Sequence, residues 1–494
     1  MLKVVKLKEE QEKVLFLPAE NPIQIKGVAG SGKTTVAIYR AKHLLETYTN
    51  LFIKENKVII FTYNKTLRNY IEELLKVMPG IKGSVGLNIK VTNFHSWAMG
   101  YMRSQGFNKY VASNETTDEC IRDALNKCRE KYGGKKAVLK KKNEFYKDEI
   151  SWLKGKLITK VNDYLEAKRT GKGTKDRVTQ DDKKILFDLY VYFRKIMGRR
   201  KMIDYDDFAT YSLSYLRKKS FQNPFTHIVV DEAQDLNKAQ MTVIKQLVSN
   251  KTNSITIIAD AAQRIYKSGF VWKEVGIGVA GKRTVELKTN LRNKSTIAAF
   301  ALSLISNDTD AEDFTKCEKW LKGGKKPKVI RCLEFENQIK SAKAIISDYK
   351  DSSPSIVLLH RTWKGVAKIN NGLKDYFDLQ IIKPSGKSNF ESGIISITTM
   401  NSIKGLESDC VIIFDVDDKI IPSSAGFNSE NDEYHINQER RLLYTACTRA
   451  RENLTLLVSL KNPSRYIDDI DSSLYIDSKP GSYVVDNDDD DLPF

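Results

Sequence analysis

Two strings hold side chains that together could hydrolyse a nucleoside triphosphate: GVAGSGKT from Gly27 to Thr34, and HIVVDEAQD from His227 to Asp235. The first fits G-x-x-x-x-G-K-T, follows the strand-like PIQIK and precedes a helix-like stretch, which is the context that pattern requires. Gly27, Gly30 and Gly32 let the backbone turn until the N–H groups of the loop, those of Val28, Ala29 and Ser31 included, point at phosphate oxygens beside a helix N-terminus. Lys33 would then neutralise the β and γ phosphates, and Thr34 would hold magnesium. In the second string Asp231 ends a buried apolar run and would hold magnesium from the other side, with Glu232 orienting the attacking water.

These groups need a scaffold that brings distant segments together. Strand-like runs at 22–26, 57–62, 227–231 and 254–260 alternate with amphipathic helix-like stretches, as in a parallel sheet wrapped by helices. A second series follows at 328–332, 355–360, 394–399, 410–414 and 453–459. The pattern predicts two α/β lobes. The first comprises residues 1–96 and 204–280, the second residues 281–462, and a tail covers 463–494. Between them, residues 97–203 lose the strand pattern and read as a helical insertion in the first lobe, which explains the long separation of Lys33 from Asp231. The insertion carries KYGGKKAVLKKKNEFYK, for which a solvated face and a phosphate contact both remain open. The aromatic residues Tyr132, Phe145, Tyr146, Trp152 and Tyr164 are spaced as core.

A net charge of +19, from 81 Lys and Arg against 62 Asp and Glu, favours a polyanionic partner, nucleic acid first. General lysine enrichment would give the same number. No apolar run is long enough to span a bilayer, and the first residues are too polar for a secretory signal, so a cytoplasmic location is expected. Six cysteines without C-x-x-C spacing argue against a zinc site or a disulfide framework.

With the phosphate strings placed, further strings fall in the order found in UvrD/Rep-like superfamily-one DNA helicases, and the resemblance covers nearly all of the chain. Gln11 stands where that family reads the adenine edge. FTYNKTL (Phe61 to Leu67) and NFHSW (Asn93 to Trp97) resemble its single-strand contacts, implying DNA-binding roles for Tyr63, Asn64, Phe94 and His95. MIDYDDFA resembles the string after the first-lobe insertion, and Gln240 follows DEAQD where the family also has glutamine. ADAAQRIY resembles motif III, placing Gln263 near the γ-phosphate and Tyr266 on DNA. LKTNLR makes Arg292 a second-lobe phosphate contact, TTMNSIKGLE makes Glu407 a ribose contact, and ERRLLYTACTRA makes Arg449 an arginine finger. The resemblance implies RecA-like lobes, ATP and Mg2+ as cofactors, and single-stranded DNA or a 3′-tailed duplex as track. It also implies 3′ to 5′ movement and a bacterial or phage-encoded protein in repair, replication restart or phage defence.

Three departures stand out. The family's adenine clamp is replaced by Thr35 and Leu291, which predicts loose selection among bases. Its motif III tryptophan aligns with Ser268, leaving Phe270 or Trp272 to take over or simply to pack. The stretch from Arg292 to Lys404 is too short for the family's large accessory insertion, which predicts weak unwinding beside good translocation. The residues after Arg451 are too few for a fused nuclease.

The final residues DDDDLPF resemble the terminal peptide of bacterial single-stranded-DNA-binding proteins. That resemblance implies a protein partner held by Asp489, Asp490, Asp491, Leu492, Pro493 and Phe494, the ring anchoring and the carboxylates steering. An acidic tail that aids solubility or covers the DNA groove is the other reading. Two functions follow: an ATP-dependent single-stranded-DNA translocase and helicase, or a DNA-activated ATPase switch that recruits or gates a partner nuclease or repair protein.

Overall fold

The computed structural model describes residues 6–48, 55–78, 88–167, 178–217, 224–264, 270–279, 283–350, 355–383, 394–423 and 433–478. Tyr266, Ser268 and the terminal peptide Asp489 to Phe494 lie outside them.

Two parallel sheets organise the chain. The first has six strands in the spatial order Ile89–Asn93, Val58–Thr62, His227–Val230, Ser254–Ala259, Ile23–Gly27, Thr284–Leu287. Its central strands are buried throughout, not alternating: Val58–Thr62, His227–Val230 and Ser254–Ala259 are buried at every position, and most of their side chains are apolar. Helices cover both faces of a parallel sheet, so both sets of side chains leave water. The second sheet has seven strands, in the order Leu379–Ile381, Ile394–Thr399, Ser355–His360, Ser408–Ile413, Ala450–Ser459, Lys328–Cys332, Ile476–Ser478. Between Arg292 and Lys404 the described residues build only elements of this lobe.

The helical insertion has its own core. Helices Asn114–Tyr132, Asn143–Gly155 and Gln180–Arg199 enclose Phe145, Tyr146, Trp152 and Tyr164, all buried, with Tyr132 packed half-buried against them. These aromatics are core, as their spacing suggested. Lys135, Lys136, Lys140, Lys141 and Lys142 are exposed around a short turn whose Val138 and Leu139 point inward.

The lobe boundaries differ from those read from the strand pattern. Strand Thr284–Leu287 pairs with Ile23–Gly27, so the first sheet runs past residue 280. It is a short edge strand, three of whose four residues are only partly buried or exposed, and it lacks the apolar run that marks its neighbours. At the other end, Tyr466, Ile467 and Ile470 enter the second-lobe core, and Ile476–Ser478 pairs with Lys328–Cys332. The second lobe therefore continues through Ser478. Helix Phe94–Ser104 packs in the first-lobe core with Asp207–Leu216, so the insertion's own core begins only at Ala112.

Candidate nucleotide and nucleic-acid site

Functional groups gather where strands of both sheets end, the usual position of ligands in open α/β sheets. Strand Ile23–Gly27 feeds the phosphate loop, and helix Lys33–Thr47 starts immediately after Gly32. Gly30 and Gly32 hold φ of 74° and 75°, a left-handed backbone that glycine adopts without a Cβ penalty. A Cβ on Gly30 would also strike the Asn290 side chain. Ser31 Oγ is buried with no hydrogen-bond partner among the described residues. A loop of upturned backbone with an unsatisfied hydroxyl, ahead of a helix N-terminus, fits a phosphate chain. Lys33 Nζ donates to Gly27 O (3.0 Å), Val28 O (2.9 Å) and Asp260 Oδ2 (2.8 Å).

Thr34 Oγ1 donates to Asp231 Oδ2 at 2.7 Å. One hydroxyl beside one carboxylate suits magnesium that takes its remaining ligands from phosphate and water. Burial, reinforced by the charge of Glu232, raises the Asp231 carboxyl well above its ordinary range. Burial acts on Glu232 in the same direction, but Lys404, Lys33 and Arg449 outweigh it and hold that carboxyl low. Glu232 takes a left-handed φ of 56°, a strained geometry for a non-glycine residue that needs support from its surroundings. Gln234 supplies some of it, donating to Glu232 Oε2 (2.6 Å) and accepting from Asp260 N (3.1 Å).

The second lobe closes over this loop. Ala29 and Ala262 of the first lobe join the second-lobe apolar core, and Leu291 N donates to Gly30 O at 2.9 Å. Arg449, 2% exposed, donates to Thr445 O (2.9 Å), Leu406 O (3.3 Å) and Gln263 Oε1 (2.8 Å). Burial and the neighbouring Arg292 lower its guanidinium to about 10. Gln263 passes the connection on, its Nε2 donating to Asp260 Oδ2 at 2.9 Å. Arg292 Nε meets Glu407 Oε2 at 2.5 Å, and Arg451 takes Glu407 Oε1. Both oxygens of the residue expected at the ribose are thus held by arginines. Gln11 is buried beside the loop, its Nε2 on Ser31 O (2.8 Å) and its Oε1 accepting from Lys8 N (3.0 Å). Thr35 and Leu291 are both half-buried.

A cavity of about 730 Å³ opens between the insertion and both lobes. It gathers Tyr63, Asn64, Phe94 and His95 from the first lobe with Arg361 and His435 from the second. Asn64 and Asn93 cap the helices that follow their strands, accepting from Leu67 N (2.7 Å) and Ser96 N (2.9 Å), which fixes the direction of each string. Phe94 is 3% exposed and belongs to the first-lobe core, whereas Tyr63 is half-buried. Burial lowers His95 to about 4, so its ring is neutral. Phe270 and Trp272 pack edge to face, centroids 5.2 Å apart, against the same core.

Four residues not singled out in the sequence matter here. Asp260 opens the ADAAQ string and holds Lys33. Lys404, fully buried, bridges from the second lobe to Asp235, to Gln263 O (3.0 Å) and to Glu232 (3.4 Å), with Tyr63 5.4 Å from its ammonium. Arg361 forms a two-pronged pair with Glu439 (2.8 and 2.7 Å) at the cavity wall. Arg451 completes the Glu407 cluster. Lys404 lies within the string that marked Glu407, and Arg451 follows the one that marked Arg449, so both were within reach.

The UvrD/REP helicase N-terminal domain family matches residues 7–270, and the UvrD-like helicase C-terminal domain family matches residues 378–461. Among curated relatives, "ATP-dependent DNA helicase PcrA" of Staphylococcus aureus is 25% identical over 310 residues, covering 59% of this chain and 39% of that protein. "Probable DNA helicase II homolog" of Mycoplasma capricolum is 22% identical over 360 residues, covering 70% and 46%. The PcrA of Leuconostoc citreum is 24% identical over 309 residues, covering 59% and 38%. The chain therefore spans less than half the length of each of these relatives. With the N-terminal match covering more than half of its residues, the chain belongs to the UvrD/REP helicase family.

Proposed function

We propose that the chain is an ATP-dependent single-stranded-DNA translocase and helicase, moving 3′ to 5′, with ATP and magnesium in the cleft between its lobes. The observation that carries this reading is the meeting of the two lobes around one phosphate site: Arg449 of the second lobe donates to Gln263 of the first at 2.8 Å. Gly27 to Gly32 and Lys33 would cradle the phosphates, Thr34 and Asp231 would hold the metal, and Glu232 would orient and accept a proton from water. Magnesium held by Thr34 and Asp231 would supply charge neutralisation. Arg292 and Arg449 would stabilise charge on the transferred group, which is worth orders of magnitude in rate, so hydrolysis requires the closed arrangement. Release of the phosphate would loosen the lobes, and alternate gripping of a strand in the cavity would give movement, with Tyr63, Asn64, Phe94 and His95 from one side and Arg361 from the other.

The cytoplasm of a bacterium or its phage, and repair, replication restart or phage defence, are the settings this activity fits. A partner bound through Asp489 to Phe494 belongs to the same proposal. The second reading, a DNA-activated ATPase switch with little unwinding, draws support from Lys404. Its ammonium joins the cavity wall at Asp235 to Glu232 of the hydrolytic site, so a strand in the cavity could alter hydrolysis directly. ATPase rates with single-stranded DNA, duplex and RNA, measured beside strand displacement, separate the readings. Stimulation with displacement supports the helicase, stimulation alone supports the switch, and indifference to nucleic acid contradicts both.

A further inference from the structure

Glu407 sits between two arginines that occupy different surroundings. Its Oε2 is held by Arg292, whose side chain is 15% exposed and lies inside the cleft, and its Oε1 by Arg451, 44% exposed at the rim. Arg292 is anchored by its stem, since its Cβ packs where a Cβ on Gly30 would come within 2.9 Å. Its guanidinium lies on Glu407 and 3.4 Å from Thr448 O, and would turn from there towards the phosphate loop. Arg449 cannot replace it on Glu407, being committed to Thr445 O, Leu406 O and Gln263 Oε1. Arg451 can stay, because it is also steadied by Asp409, 3.6 Å from its other terminal nitrogen.

We propose that Arg451 is a positioning residue for nucleotide binding: it retains Glu407 when Arg292 leaves that carboxylate for a phosphate. This rests on the reading of the cleft as a triphosphate site. A half-buried carboxylate without a cation would face the incoming phosphates as a like charge, and removing one partner of such a cluster strands the other. With Arg451 in place, Arg292 exchanges one anion for another while Glu407 keeps its counter-charge. Arg451 therefore acts through Glu407 and Arg292 and need not touch the nucleotide. Were it only a surface ion pair, its removal would change little.

The test uses the full chain and a fluorescent ATP analogue for affinity, with steady-state hydrolysis for KM and kcat. Arg451→Gln is expected to weaken nucleotide binding and raise KM about ten-fold, the scale of one charged hydrogen bond, with kcat nearly unchanged. Arg451→Lys should recover most of the affinity. Adding Glu407→Gln to Arg451→Gln should bring the affinity part of the way back, because a neutral amide strands no charge. Unchanged affinity in Arg451→Gln overturns the proposal, and so does a double variant no better than the single one with all melting temperatures alike. A wild-type chain that binds no nucleotide sinks the triphosphate reading along with it, whereas normal wild-type turnover beside an indifferent Arg451→Gln sinks this inference alone.

Discussion

Lys33 Nζ lies 2.8 Å from Asp260 Oδ2, so the ammonium proposed to meet the phosphates is already paired with a buried carboxylate. Asp260 also receives Gln263, which receives Arg449. One carboxylate thus links the phosphate lysine of the first lobe to the arginine of the second. On the proposed reading, a bound nucleotide would displace the Lys33 pair and so couple the arrival of phosphate to the contact between lobes. Asp260→Asn should lower KM for the nucleotide, because a competing charge is gone, and lower kcat, because Gln263 is less firmly placed. Lys33→Ala should lower hydrolysis roughly a hundred-fold or more, as loss of a preorganised charge does elsewhere. Steady-state kinetics on both variants check the pair of signs.

Lys404 sets the protonation of Glu232 from the opposite lobe. Burial works to raise that carboxyl, and Lys404 is the largest influence holding it low. In the wild type Glu232 is therefore ionised throughout the neutral and mildly acid range. In Lys404→Met the largest opposing charge is gone while burial stays, so the carboxyl titrates at a higher pH than in the wild type and its contribution to the acid limb of the kcat profile moves upward. Rates between roughly pH 5 and 9 show the shift; an unmoved acid limb would mean that Lys404 serves the cavity alone.

Lys154 ties the insertion to the first lobe. Its ammonium is fully buried and pairs with Asp204 (2.7 Å) and Asp207 (2.8 Å). Burial opposes its charge, but the two carboxylates prevail and raise its pKa. Lys154→Ala should destabilise the fold by roughly 3–5 kcal/mol, since uncompensated buried carboxylates remain. Adding Asp204→Asn and Asp207→Asn should recover part of that loss. Denaturant unfolding measures both.

Base selection should be loose. Thr35 and Leu291 offer no ring or guanidinium to a base, and Gln11 spends both ends of its amide on Lys8 N and Ser31 O. Hydrolysis rates for ATP, GTP and CTP are expected to agree within about ten-fold, as when few polar contacts discriminate. A strict preference for ATP would show that Gln11 exchanges these partners for adenine.

What was legible in the sequence was whatever carries a fixed local pattern. The phosphate loop needs glycine at Gly30 and Gly32 for its left-handed backbone, and the buried strand ending at Asp231 is an unbroken apolar run, so both announce themselves. The two-lobe α/β architecture followed from the same periodicity. Edge strands did not: Thr284–Leu287 has little apolar run because one side of it lacks a neighbour, and residues 463–478 join the second lobe through scattered anchors such as Tyr466. Phe94, read as a DNA contact, is a core ring, a burial that the spacing of its string does not show. Lys404 and Asp235 meet from different lobes, and a contact between segments so far apart leaves no local trace.

Residues of both lobes complete one proposed phosphate site, and Arg449 is the second lobe's contribution that reaches Gln263. Single-turnover hydrolysis in saturating single-stranded DNA, compared between wild type and Arg449→Ala with nucleotide affinity measured alongside, tests it most directly. The hydrolysis step is expected to fall by about a thousand-fold or more, with nucleotide still bound. An Arg449→Ala chain that hydrolyses at near the wild-type rate would contradict it.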